Sequence, residues 1–417
     1  MESKGAGWSL AGLSVTWAAT RLVVLLYVLR VLVLPGADVT SDVSVTYRGW
    51  YEVLRTGTFP LDDVTWQYPP AAALAILSPA TLPFLSYTHA FFVLAVLADL
   101  AVLGLLLYAG RRPGKSLRGA LVWVVGAPLL GPTLYARYDV MVTAVAVAAL
   151  LAGAGRPRVM GALAGFGAML KVWPALLLVG CVRRRAWGAA AATAAGLAAL
   201  FSVTMPGPFA FLTFQRDRGT EVESLGALVF HVARHFGWQG KVLLNYGSIE
   251  FLGPYVGVVS TASLTLTVVC FAWLLLWRMN ATKVTNADRF EPHTLAEAAF
   301  TAVLMFTVTS RVISPQYMVW LVGLAAVCLC FRAGRMGVPT LLVLAATAVT
   351  VLEFPTNFTH VMASDWYGTG LLFLRNALLV AASVTAARRL WRSTVLPSRL
   401  PALPSQSSPS TETPVSP

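Results

Sequence analysis

SDVSVTYRGWYEVLRTGTFPLDDVTWQYPP, residues 41–70, is the stretch on which the fold turns. It carries Asp42, Glu52, Asp62 and Asp63, the arginines Arg48 and Arg55, and the aromatics Tyr47, Trp50, Tyr51, Trp66 and Tyr68, and it closes on Pro69 and Pro70. An apolar run at 10–34 precedes it and another, near 87–109, follows it. The first run is long for a signal peptide and no cleavage site follows it, so it reads as a retained membrane helix. A polar, aromatic segment between two such helices is a loop at a membrane surface.

The rest of the chain supports that reading. Its 417 residues are 57% hydrophobic and only 12% charged, roughly half the charged share of a soluble domain. Mean hydropathy is +0.70. Several apolar runs approach the ~20 residues that cross a bilayer as helix. They are continuous rather than alternating, which excludes an outer-membrane barrel. The fold class expected is an all-α polytopic membrane protein, with the lipid bilayer as its solvent.

A net charge of +13 raises the question of nucleic acid. The basic residues, however, fall in short clusters between apolar runs: Arg111, Arg112, Lys115 and Arg118; Arg156 and Arg158; Arg183, Arg184 and Arg185; Arg332 and Arg335; Arg388, Arg389 and Arg392. That is the pattern that orients helices in a membrane, so no nucleic-acid partner is expected. Cys181, Cys270, Cys328 and Cys330 lie in or beside apolar runs without metal-ligand spacing, and read as small hydrophobes.

The clusters trace a path. Helices are expected near 10–34, 87–109, 119–133, 138–153, 186–204, 253–277, 295–310, 315–331, 337–353 and 369–387. Residues 158–182 are bounded by basic clusters on both sides and hold Lys171 and Pro174 near their middle. A proline breaks a helix, and irregular backbone at membrane depth needs protein or water around it. The segment therefore reads as a re-entrant hairpin with Lys171 at its tip. Ten crossings and one hairpin leave both termini in the cytoplasm. Residues 1–395 form one transmembrane domain with a first outer loop at 35–70 and a long outer loop at 205–252. The Pro/Ser/Thr-rich tail, 396–417, is expected to be a disordered cytoplasmic extension.

On this topology the acids collect outside. They occupy the first loop, the turn holding Arg137 and Asp139, the stretch FQRDRGTEVES (214–224), and the ends near Glu353 and Asp365. TSRVISPQY (309–317) and Lys171 join them. Brought together, these pieces form an outer cavity that could bind a lipid-linked phosphate. Lys171, Arg216, Arg218 and Arg311 are its candidate phosphate ligands, since Arg grips phosphate with a two-pronged fork. A carboxylate could take the proton from an attacking hydroxyl. Several alternatives stay open. Lys171 could snorkel or pair with Asp99 or Glu297, Arg216 and Arg218 could pair with Asp217, Glu221 and Glu223, and the aromatics could be an interfacial belt. No carboxylate pair has diagnostic metal spacing, so no metal or other cofactor is expected.

SDVSVTYRGWYEVLRTGTFPLDDVTWQYPPAAALAILSP (41–79) resembles the first outer loop of the GT-C superfamily of membrane glycosyltransferases. It is most similar to the polyprenyl-phosphate-mannose-dependent mannosyltransferases of glycosyltransferase family 87, also called DUF2029. The matching residues are Asp42, Tyr47, Gly57, Pro60 and Tyr68-Pro69-Pro70. ARYDV (136–140), GALAGFGAMLKVWPALLL (161–178) and RDRGTEVESL (216–225) resemble later family segments in the same order.

The resemblance implies a GT-C helical bundle of about ten transmembrane helices, a re-entrant hairpin and a helical first loop. It implies a sugar, mannose by family, moved from a polyprenyl-phosphate donor with inversion on the extracytoplasmic face of a bacterial plasma membrane. The acceptor would be an envelope glycolipid, glycan or protein. By position the catalytic acid is Asp42, with Asp38 and Asp139 as alternatives. Tyr47, Trp66, Tyr68, Glu221, Glu223, Gln316 and Tyr317 are candidates for substrate contact. The family often has a His after the Ser of a late helix, where this chain reads Ser314-Pro315-Gln316-Tyr317. A polyprenyl-phosphate-arabinose-dependent transferase is the nearest competing chemistry, and a flippase for lipid-linked saccharides is the competing class.

Overall fold

A computed structural model describes residues 9–216, 218–284 and 290–396. The side chain of Arg216 and the tail expected to be disordered, from residue 397 onward, lie outside the described residues. Each of the ten expected spans coincides with a helical segment. They are Leu10–Val28, Tyr87–Gly110, Arg118–Gly126 continuing as the 3-10 segment Ala127–Leu134, Asp139–Ala152, Arg184–Thr204, Val256–Val284, Pro292–Thr309, Tyr317–Leu329, Gly337–Val351 and Trp366–Thr394. Among the described residues, six helices are long and apolar enough by themselves to cross a membrane. The chain is a multi-pass membrane protein.

Helix starts follow local chemistry. Ser9 accepts from the amide of Gly12 and Asp365 from that of Gly368, satisfying donors that a helix N-terminus leaves open. Pro292–Thr309 and Tyr317–Leu329 are buried almost all round, as a helix apolar on every side must be. They form the centre of the bundle.

Asp99, fully buried in the Tyr87–Gly110 helix, accepts from Arg21 Nε at 2.8 Å, Trp17 Nε1 at 3.0 Å, Trp123 Nε1 at 2.6 Å and the Tyr135 hydroxyl at 2.6 Å. An intramembrane ion pair is tolerable only with its hydrogen bonds satisfied in this way. It ties three expected spans together near the N-terminal half.

The segment around Lys171 is a hairpin. Helix Pro157–Leu170 stops at Lys171, whose backbone is extended (φ −160°, ψ 130°), and a 3-10 segment, Trp173–Leu178, returns. The hairpin begins and ends beside Leu295, which abuts Gly153 before the first arm and Gly180 after the second. The first arm packs on Arg184–Thr204 through small residues. A Cβ at Gly161 would stand 2.0 Å from the Ala186 carbonyl oxygen, and one at Gly165 2.4 Å from that of Ala190. Such small-xxx-small seams let helix backbones touch in a membrane.

The long loop holds structure the sequence reading did not anticipate. Strands β1 (Thr220–Glu221), β2 (Lys241–Asn245) and β3 (Ser248–Leu252) form an antiparallel sheet in the order β1-β3-β2. Tyr246 and Gly247 join β2 to β3 with positive φ at both positions, as a two-residue hairpin turn demands. This sheet, the first loop, the 135–139 turn and the 310–316 segment gather at one end of the bundle. The basic loops meet at the other. There Arg332 Nε donates to the Lys115 carbonyl at 2.9 Å, and Glu297 accepts from the Arg335 amide at 2.6 Å.

Candidate active site

The break at Lys171 opens into a cavity of about 410 Å³. Lys171, Arg218 and Arg311 line it, with Tyr68, Gln316 and Tyr317. The Lys171 ammonium lies 2.7 Å from Asp139 Oδ1 and 5.0–5.6 Å from the ring centres of Trp320, Tyr138, Tyr68 and Tyr317. Ring faces are negative and attract a cation. A single carboxylate and four rings thus hold a charge that apolar surroundings would otherwise expel. Its partner is Asp139, and neither Asp99 nor Glu297.

Asp139 opens the Asp139–Ala152 helix and is buried; its Oδ1 also accepts from Trp320 Nε1 at 2.6 Å. Trp320 in turn stacks on Tyr317 at 3.9 Å and on Trp173 at 5.1 Å.

The two arginines reach the cavity from the long loop and from the 310–316 segment. Arg218 donates to Ser248 Oγ at 2.6 Å and faces Glu250 at 3.5 Å. Arg311 donates to the carbonyls of Arg218 at 2.8 Å and Gln215 at 2.5 Å. The cavity therefore collects three cationic side chains from three separate segments.

Asp42 lies at the start of the first-loop helix, whose π-helical turn Asp42–Tyr47 runs into Arg48–Leu54. It forms an ion pair with Arg137, and its side chain is 33% exposed against 2% for Asp139. Arg137 is further held by the carbonyls of Ala136 and Val39. Asp38 sits elsewhere, paired with Arg30 at 2.6 Å and accepting from Thr40, beside a small depression that includes Pro132 and Pro355.

The sequence profile of glycosyltransferase family 87 matches residues 66–315, more than half of the chain. The chain belongs to glycosyltransferase family 87. No curated protein matches it. Among solved structures it is similar to ArnT from Cupriavidus metallidurans bound to undecaprenyl phosphate, at 15% identity and a TM-score of 0.44, over 93% of this chain and 78% of that one.

In this family-87 glycosyltransferase several candidate side chains stand away from the cavity surface. Tyr47 and Trp66, 2% and 1% exposed, are packed behind its wall in an aromatic cluster with Trp50, Phe91 and Tyr138. Glu221 is a clasp. It accepts from the Ile313 amide at 2.5 Å and the Ser314 hydroxyl at 3.0 Å, fastening the long loop to the 310–316 segment. Burial pushes its carboxyl up to about 7. Glu223 is buried 3.6 Å from Arg375, which also faces Glu353 at 3.4 Å. Burial, with Glu353 and Glu221 nearby, raises its carboxyl well above the usual range.

The sequence reading missed Trp320, Gln215, the Tyr246–Gly247 turn and Glu250. Glu250 is fully buried and accepts from the Gly219 amide at 2.9 Å, Ser248 at 2.9 Å and Asn245 at 3.0 Å, so it shapes the loop that presents Arg218. An acid inside the apolar alternation of SIEFL was the available signal. Trp320 gave none, being one of 13 tryptophans.

Proposed function

We propose that this glycosyltransferase moves a hexose, mannose by family resemblance, from a polyprenyl-phosphate donor to a cell-envelope glycolipid, glycan or protein, with inversion. The observation that carries the reading is the cavity in which Lys171, Arg218 and Arg311 converge at the end of the bundle that bears the first loop. A phosphate joined to a long apolar chain matches a cationic cavity set in a membrane bundle.

The basic loops at the opposite end favour a cytoplasmic location for that end and for both termini, with the cavity extracytoplasmic. The described residues are read as one transmembrane domain. In the reaction Asp42 takes the proton from an acceptor hydroxyl, whose oxygen attacks the anomeric carbon. The bond from that carbon to the phosphate oxygen breaks, and its electron pair stays on the polyprenyl phosphate. Lys171, Arg218 and Arg311 stabilise the charge that develops there. Asp42 suits the base because it is partly open and is oriented by Arg137, whereas Asp139 is buried beside Lys171. Gln316, Tyr317 and Tyr68 line the space left for the sugar.

The test is turnover by the full chain in lipid, offered polyprenyl-phosphate-mannose and polyprenyl-phosphate-arabinose in separate reactions with a bacterial membrane extract. Transfer from the mannose donor supports the reading. Transfer from the arabinose donor alone corrects the sugar, and consumption of neither favours a flippase.

A further inference from the structure

A second depression lies on the first loop. It is an open groove of about 710 Å³ between the first-loop helix and residues 58–65. Thr46, Gly49 and Trp50 line one side, and Thr58, Asp62 and Asp63 the other. Thr65 lines both this groove and the Lys171 cavity, with the Tyr246–Gly247 turn packed over it. Thr65 is thus a wall common to the two spaces. Trp50 meets Tyr68, a wall of the cavity, edge-on at 5.7 Å.

Their lining charges differ in sign. Among the described residues, the charged side chains lining the cavity are Lys171, Arg218 and Arg311, two of them paired with Asp139 and Glu250, and those lining the groove are the acids Asp62 and Asp63. Asp63 is committed to structure. It accepts from Trp50 Nε1 at 2.8 Å and from the Thr65 amide and hydroxyl at 2.9 and 2.5 Å. Burial acts to raise its carboxyl, but these hydrogen bonds outweigh it and hold it below the usual range. Asp62 beside it is exposed.

We infer that this groove is the acceptor site, and that its occupant is the uncharged, hydroxyl-rich end of a saccharide. The inference rests on the transferase reading above. An acidic groove repels the donor phosphate, which the cavity draws in. A carboxylate and threonine hydroxyls are the groups that hydrogen-bond sugar hydroxyls without needing charge on the ligand. On this reading a hydroxyl of the bound saccharide reaches the donor past Thr65, the residue that both spaces share. Asp42 heads the helix whose next turns, at Thr46 and Gly49, form the groove wall.

Gly49 offers the test. No atom lies within 4 Å of where its Cβ would stand, so a side chain can start there freely and Gly49→Trp narrows the groove. Asp62→Lys, at an exposed position, is a second variant that reverses the charge there. The full chain in nanodiscs is titrated with methyl α-mannotrioside by saturation-transfer NMR and, separately, with decaprenyl phosphate. We expect both variants to weaken the trisaccharide at least about tenfold, a loss of roughly 1.4 kcal/mol, with decaprenyl phosphate bound as by wild type. Trisaccharide binding equal in Gly49→Trp and wild type, or absent from wild type, overturns the assignment. So does a parallel loss of both ligands. If the trisaccharide binds in the groove but donor is never consumed, the transferase reading fails and the groove stands; donor consumption with a groove-indifferent trisaccharide gives the converse.

Discussion

Lys171 shows what one charge in an apolar segment can report. The sequence marks it because a lysine beside a helix break inside a hydrophobic run is costly and is kept for a purpose. The structure supplies what the sequence could not, namely the carboxylate and the four rings around it. Those rings come from three segments far apart in the chain, so no local pattern could have named them. On the proposed mechanism Lys171→Met removes a cation that faces the leaving phosphate. It should lower kcat/KM by about 10²–10³-fold, the usual loss for one such stabilising group. Asp139→Asn acts differently, since it leaves a buried ammonium without its counter-charge. It should destabilise the folded protein by about 3–5 kcal/mol. Lys171→Met in turn strands the buried Asp139 carboxylate, so a thermal melt in detergent is recorded for both variants and kcat/KM is read on the folded protein.

Between elements, the clasp made by Glu221 couples loop docking to pH. Its carboxyl is raised to about 7 from an ordinary 4.5, so the docked state binds the proton more tightly than the undocked one. Docking is therefore strongest below pH 4.5, weakens as pH rises, and levels off above about 7. Hydrogen-exchange protection of the Glu221 and Val222 amides, bonded to Arg311 and Ile249, should fall between pH 5 and 7.5. In Glu221→Gln it should not vary with pH. The hairpin arm gives a second prediction at this scale. Gly165→Leu forces a side chain into the Ala190 backbone, and the purified yield of folded protein should collapse.

The hairpin itself was legible, since basic clusters flank it and Pro174 interrupts it. The sheet of the long loop was not. In a chain that is 57% hydrophobic, the alternation KVLLN-YG-SIEFL carries little contrast. Its turn also uses Tyr246 at positive φ, where the usual Asn-Gly or Asp-Gly signal is missing.

Across the whole molecule, the order of spans was readable because charge clusters and apolar runs are long-wavelength features. Their mutual packing was not, because it depends on pairs such as Arg21 and Asp99, 78 residues apart. Arg21→Met strands that carboxylate with only neutral donors and should cost about 3–5 kcal/mol, while replacing both partners with apolar residues should cost much less. Stability of the single and double variants in detergent checks this. On the proposed mechanism the donors of Lys171, Arg218 and Arg311 at one cavity hold the monophosphate leaving group, so transfer should survive chelation of divalent metal. Loss of activity in EDTA, restored by a divalent cation, would contradict that expectation.

The central claim joins a cationic donor cavity to a base on the first loop. Its most direct measurement is label transfer from polyprenyl-phosphate-[14C]mannose by the full chain in lipid, comparing wild type with Asp42→Asn. Binding of decaprenyl phosphate is measured on both. Label should enter a new product with wild type and fall about 10²–10⁴-fold in the variant, the span of general-base catalysis, with decaprenyl phosphate bound equally. Equal transfer by the two proteins would contradict the assignment of Asp42 as the base.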